Sequence, residues 1–314
     1  MAMSEQSFPV TEAYKGMRLD RFLQAMVPRM SRAAIQEAIE HRIRLASERP
    51  PKAAMRPAVG DVVHFAQRVQ LEVPDVAIPV LAEGDGWTVV DKPGCLASTP
   101  SARRPGADVA TMTGKAPAHR LDYGTSGCLL LVHDKAVAQH FERAFRERRV
   151  LKQYLAVVHG TPTQDTFTID APIGRDVASR LPHKVMVHET GAPAITDITV
   201  IERRGTRTLV RAEPRTGRRH QIRVHLAHAG HALIGDLLYG PDERNFIRWQ
   251  QGQPIDTDDG VPPGRHLLHA HKLSLPVRTE PGTFRTSRQA SADENGDSML
   301  HFEAPLPDDF NTGD

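Results

Sequence analysis

The chain has 314 residues, enough for one large domain beside a small one or for two of middle size, and at 39% hydrophobic and 5% aromatic its core must rest on Leu, Val, Ile and Ala. The net charge of +2 hides an uneven spread: Met17–Gln70 holds ten Lys/Arg against five Asp/Glu, Arg203–Arg223 eight Arg against Glu213 alone, and Ser291 onward seven acids with no Lys or Arg. Two basic regions and an acidic tail predict a nucleic-acid surface and a segment kept away from it. Cys95 and Cys128 alone make no disulfide framework, and no apolar run reaches the ~20 residues of a membrane span or forms a signal peptide, so a cytoplasmic protein is expected.

Residues 1–14 read as a flexible leader, 15–72 as a small module and 73–314 as a larger domain. In the module, Leu19, Phe22, Leu23, Met26 and Val27 mark one helical face, which Pro28 ends. Ser31 is a good N-cap for a second helix that buries Ile35, Ala38 and Ile39. Arg42–Leu45 and Val62–Phe65 alternate as short strands, with Val59-Gly60-Asp61 as a turn. Pro74, Pro79 and the acids between Glu72 and Glu83 mark a boundary.

The larger domain opens with a strand at Trp87–Val90. Arg103–Ala118 reads as a loop, and the continuous apolar run Cys128–Val132 as a central buried strand. Asp134 caps a helix whose Val137, Phe141, Ala144 and Phe145 point inward. Tyr154–Val158 and Thr208–Ala212 read as strands, His220–Ala229 as a helix stopped by Gly230, and Asn245–Pro263 as a surface excursion. Helices and strands mix without strict alternation. The expected fold class is therefore α+β rather than doubly wound.

His119-Arg120-Leu121-Asp122-Tyr123-Gly124-Thr125-Ser126-Gly127 is the most informative segment. A carboxylate stands just ahead of a Gly-Thr-Ser-Gly turn that feeds the buried strand. An Asp bonding its own turn is the ordinary reading of such a loop. Here HRLD…TSG followed by LLLV resembles the catalytic loop of RluA-type RNA pseudouridine synthases. Asp91-Lys92-Pro93-Gly94, Leu151-Lys152-Gln153-Tyr154-Leu155-Ala156 and Thr216-Gly217-Arg218-Arg219-His220-Gln221-Ile222-Arg223-Val224-His225 are similar to further stretches of that family, and Ile234-Gly235-Asp236 and Leu268-His269-Ala270 to smaller ones. They run in order across residues 87–275.

The resemblance implies a mixed, largely antiparallel central sheet flanked by helices, and isomerisation of uridine to pseudouridine without cofactor or metal. It places the catalytic carboxylate at Asp122, the active-site tyrosine at Tyr154 and the partner arginine at Arg223. A buried Asp tends to protonate, and an opposed Arg holds it ionised. A target uridine must leave its stack. By resemblance Arg120 fills the vacated space, and Arg218, Arg219, His220 and Gln221 meet the RNA. The module over Gly16–Phe65 is similar to the RNA-binding domain first named for ribosomal small-subunit protein four, which places RNA contacts at Arg18, Arg21, Ser31, Arg32 and Arg42. The expected partner is structured RNA, large-subunit ribosomal RNA first and transfer RNA second.

Three rival readings compete with this one. A non-catalytic RNA-binding or assembly protein would be expected to lack Asp122, Tyr154 or Arg223, and all three are present. A nucleoside hydrolase usually needs a second carboxylate to activate water. Zinc at His220, His225, His228, His231, His266, His269 or His271 competes with the family motif that already absorbs His220 and His225.

Overall fold

The computed structural model describes residues 3–27, 30, 32–68, 76–101, 106–179, 181, 184–240, 242–255, 260–277, 291–292 and 298–311. They form two compact units, Met1–Gln70 and Leu71–Asp314.

In the first unit, β1 (Met3–Pro9), α1 (Leu19–Met26), α2 (Arg32–His41), β2 (Ile43–Leu45) and β3 (Val62–Arg68) follow in order. The apolar helical faces account for the packing: Leu19, Phe22 and Leu23 of α1 and Ile35 and Ile39 of α2 close on Val63 and Phe65 of β3. The sheet order is β1-β3-β2. The expected leader is thus corrected. Its residues pair antiparallel with β3 from Met3↔Arg68 to Pro9↔Val62. The strand was hidden because it lies at a sheet edge with Gln6 and Ser7 exposed, so backbone pairing rather than apolar alternation orders it. Ser31 lies outside the described residues.

The second unit contains β4 (Val80–Gly84), β5 (Trp87–Lys92), α3 (Val109–Thr113), β6 (Ala116–Pro117), β7 (Ser126–Val132), α4 (Lys135–Arg146), β8 (Leu151–His159), β9 (Thr166–Asp170), β10 (Ile173–Arg175) and β11 (Val185–Val187). It continues with β12 (Ile195–Arg204), β13 (Arg207–Pro214), α5 (Gln221–His228), α6 (Arg244–Gln250), β14 (Leu268–Val277), β15 (Ser291–Ala292) and β16 (Ser298–Glu303). The main sheet runs β4-β5-β7-β14-β8-β13-β12-β9, with β6 on β7, β16 on β14 and β15 on β16. Among the described residues its one parallel pairing is β7 with β14, at His269↔Ser126 and Ala270↔Gly127. The α+β class and the largely antiparallel sheet are as expected.

β7 explains its own apolar run. Cys128, Leu130 and Val132 enter one core with Trp87, Phe141 and Phe302, while Leu129 and Leu131 enter another with Leu96 and Leu121. Both faces are covered, which accounts for the unbroken apolar run Cys128–Val132. Asp134 accepts from the amides of Ala136 and Val137 and starts α4. The expected loop at Arg103–Ala118 instead holds α3, capped by Asp108 on the Thr111 amide, and β6. The Asn245–Pro263 excursion contains most of α6, whose Trp249 ring lies 6.1 Å from that of Tyr123. The acid-rich boundary similarly contains β4, an edge strand with Val80 exposed. Each is too short to carry a clear helical or strand pattern, so its order comes from its neighbours rather than from periodicity.

Candidate active site

The loop 118–125 links β6 to β7, and its backbone is held at several points. Ser98 Oγ donates to Leu121 O at 2.8 Å and accepts from Leu121 N at 3.1 Å. Thr125 N donates to Asp122 O at 3.1 Å. Gly124 must be glycine, since a Cβ there would stand 2.4 Å from Gly264 O. Asp122 is thereby fixed at the lip of the sheet, 29% exposed.

A second loop leads from β13 into α5. His220 begins that helix at φ 51, a left-handed conformation costly for a side chain other than glycine. One turn on, buried Arg223 donates from Nη1 to Asp122 Oδ2 at 2.8 Å. Its Nε and Nη2 donate to Asp236 Oδ2 and Oδ1 at 2.7 and 2.9 Å, and its guanidinium lies 5.0 Å from the Tyr239 ring centre. Asp236 also accepts from the amides of Leu238 and Tyr239. His220 Nε2 stands 3.8 Å from Asp122 Oδ1, and its Nδ1 is 2.8 Å from the Tyr239 hydroxyl.

Burial pushes the Asp122 carboxyl up, but His220, Arg223 and His266 together with the Arg223 hydrogen bond pull it down to about 2. Burial also brings His220 down to about 4 and His266 to about 3. Both imidazoles are therefore uncharged at neutral pH, and Arg223 is the cation that faces Asp122. Asp236 is held well below the usual carboxylate range, the Arg223 charge and hydrogen bonds overcoming its burial. Burial, then the nearby Asp122 charge, raises the Tyr154 phenol, so it keeps its proton at physiological pH.

Asp122, Tyr154 and Arg223 line one cleft of about 980 Å³ together with Arg120, Arg218 and Arg219. The last three side chains are exposed. The cleft also has cations that sequence reasoning did not single out: Arg146, Arg148, Lys152 and Arg215. Gln221 corrects an expectation. It is 4% exposed, its Oε1 accepts from Thr216 Oγ1 and Arg218 N, and its Nε2 donates to Ile195 O and Thr196 Oγ1. With its amide bonded at both ends inside the protein, Gln221 braces the loop that carries Arg218 and Arg219 instead of reaching RNA. Sequence reasoning also missed Asp236 as the support of Arg223, although Ile234-Gly235-Asp236 stood in a matched stretch.

In the N-terminal unit Arg21 and Arg32 are exposed. Arg18 pairs with Asp20 at 2.7 Å, and half-buried Arg42 lies over the Phe65 ring at 5.7 Å. His225 is buried between Thr196 Oγ1 and Ala171 O. Among the described residues no group of three or more His, Cys, Asp or Glu side chains is placed to hold a metal, and no helix is long and apolar enough to cross a membrane.

An ionised carboxylate backed by a buried guanidinium, in an arginine-lined cleft at the lip of a mixed sheet, suits an enzyme acting on an anionic polymer. Residues 87–228 match the RNA pseudouridylate synthase family. An uncharacterised RNA pseudouridine synthase of Chlorobaculum parvum is 31% identical, over 96% of this chain and 94% of that protein. Ribosomal large subunit pseudouridine synthase D of Nitrosomonas europaea is also 31% identical, over 96% of this chain and 84% of its own. The solved structure of human RNA pseudouridylate synthase domain containing 1 superposes with a TM-score of 0.53 at 27% identity, covering 73% of this chain and 91% of that one. The chain belongs to the RluA-type RNA pseudouridine synthases, isomerases that convert uridine to pseudouridine in RNA.

Proposed function

We propose that this enzyme isomerises uridine in large-subunit ribosomal RNA and that Asp122 is the carboxylate that starts the reaction. The observation that carries the assignment is the 2.8 Å bond from Arg223 to Asp122 inside the cleft. The reaction breaks the N1–C1′ bond of the uridine, turns the base over and joins C5 to C1′. No water, phosphate or redox equivalent is consumed. What it requires is an anion near the sugar and base, which a carboxylate supplies as nucleophile or as stabiliser of a sugar cation. Arg223 keeps Asp122 in that form. Tyr154, protonated and lining the same cleft, offers a ring to stack on uracil and a hydroxyl beside it.

The target uridine leaves its stack before reacting, and exposed Arg120, two residues before Asp122, fills the vacancy. Arg218 and Arg219 meet backbone phosphates from the opposite loop. The N-terminal unit adds phosphate contacts through Arg18, Arg21, Arg32 and Arg42. Ribosomal RNA is favoured because the relative from Nitrosomonas europaea carries that substrate in its name. Chemical mapping of pseudouridines in ribosomal and transfer RNA, with and without the gene product and with the Asp122→Asn variant in its place, tests both parts. A site lost from large-subunit RNA on deletion is the expected result; loss confined to transfer RNA refutes the substrate.

A further inference from the structure

The residues after Asp122 are gripped by a buried cation that the chemistry above does not use. Arg265 is 5% exposed. Its Nη1 donates to Gly124 O at 2.5 Å and to His266 O, and at 3.2 Å to Leu268 O. Its Nη2 donates to Ser126 Oγ at 3.1 Å. Gly94 packs against its stem, where a Cβ would come within 2.7 Å of Arg265 Cδ. Neighbouring residues complete the grip: His266 Nε2 lies 2.8 Å from Thr125 Oγ1, and His269 Nδ1 lies 2.9 Å from Ser126 Oγ. Residues 124, 125 and 126 are thus all held by residues 265–269, at the entry to β14 and at its start.

The carboxylate opposite Arg265 comes from the far end of the chain. Asp309 accepts from Arg265 Nε at 2.7 Å and from Nη2 at 3.2 Å. Asp309 lies in the short turn Asp308–Asn311, which is seated by Phe310, 1% exposed, 5.7 Å from the Arg265 guanidinium and 5.9 Å from the His269 ring. The acidic C-terminal segment is therefore not simply kept clear of a basic surface. One of its acids is drawn in to neutralise a buried guanidinium.

We propose that Arg265, oriented by Asp309, is a positioning residue for Asp122, so that the C-terminal turn is a working part of the active site. The inference rests on the reading of Asp122 as the catalytic carboxylate. Without Asp309 a buried guanidinium lacks its counter-charge and turns toward other partners. The Gly124 carbonyl and Ser126 hydroxyl then lose their donors, and Asp122, two residues away, loses its fixed position. A displacement of about 1 Å at a catalytic group can cost on the order of a hundredfold in rate.

The test uses the full chain and total RNA from a strain lacking the gene, with single-turnover rates measured against enzyme concentration. Asp309→Asn should lower the saturating rate roughly 10- to 100-fold per folded molecule while the enzyme concentration for half-maximal rate stays unchanged. Asp309→Glu should recover most of that rate, and removal of residues 308–314 should reproduce the loss. A purely structural role would lower the melting temperature and the folded fraction but leave the rate per folded molecule alone. That result, or a rate within about twofold of wild type in Asp309→Asn, overturns the proposal. Asp122→Asn runs alongside: if it keeps activity, the reading of Asp122 fails; if it is inactive and Asp309→Asn is normal, only the positioning role fails.

Discussion

Arg223 commits Nε and Nη2 to Asp236, and this two-bond pair, rather than the single bond to Asp122, sets the direction of Nη1. Asp236 is itself tied to the amides of Leu238 and Tyr239, so the guanidinium has a rigid backing. Asp122 is presented with a pre-oriented donor. An arginine suits this place because its planar fork can serve two carboxylates at once, which an ammonium cannot do in the same geometry.

Asp122→Asn keeps the volume and removes the charge. Pseudouridine formation is expected to fall below detection, while RNA affinity stays within about threefold of wild type, since the groups proposed to meet phosphate lie elsewhere. Mass-spectrometric detection of pseudouridine and a filter-binding titration measure the two quantities. Appreciable turnover by the variant would falsify the assignment.

The pH dependence separates the two partners of Arg223. With Asp122 at about 2, its ionisation contributes no acid limb to the wild-type rate at any pH near neutrality. The sign follows from the lowered value: stability from the pair is present above the ordinary Asp pKa and is lost as pH falls through about 2. Removing the cation in Arg223→Ala takes away its charge and its hydrogen bond and leaves only His220 and His266 to oppose burial, so the Asp122 pKa rises and an acid limb moves up toward the measurable range. The same change leaves Asp236 buried and unpaired, a cost of about 3–5 kcal/mol. Arg223→Lys keeps a charge at the site, although an ammonium cannot reproduce all three bonds, and its acid limb should lie below that of the alanine variant. Rate profiles of the three proteins decide it, and superimposable profiles would count against the pairing.

Gly127→Ala tests the seam between β7 and β14. Gly127 has φ 108, and a Cβ there would lie 2.4 Å from Ala270 O, where the two strands pair. A clash with backbone cannot be relieved by rotating a side chain, so a destabilisation of about 1–3 kcal/mol is expected. Thermal unfolding should show a melting temperature several degrees lower. An unchanged midpoint would mean that the strands separate there without cost.

The N-terminal unit is tested without cutting the chain. Arg21 and Arg32 are exposed, and each phosphate left unneutralised flattens the dependence of log affinity on log salt by roughly 0.7–0.9. The double variant Arg21→Ala/Arg32→Ala should reduce that slope by about 1.4–1.8 and weaken binding. The single-turnover rate at saturating RNA should change little. An identical slope and affinity would remove this unit from the RNA-binding surface.

What the sequence by itself determined is local. The run Cys128–Val132 read as a strand covered on both faces, Asp134 as the cap of a helix, and the order of short motifs pointed to Asp122, Tyr154 and Arg223. The resemblance also implied Arg223 as the partner of Asp122, 101 residues away, but the other pairs were decided by tertiary structure. Asp236 as the backing of Arg223, and Arg265 with Asp309, 44 residues apart, follow from no spacing rule that links a carboxylate to a guanidinium. The edge strand Met3–Pro9 and the helix Arg244–Gln250 were missed for a related reason. Their order comes from backbone pairing and from packing against residues distant in the chain, neither of which leaves a periodic mark. Gln221 shows the opposite error. Its place in a recognised motif suggested an RNA contact, but only the fold could reveal that both ends of its amide were already bonded inside the protein.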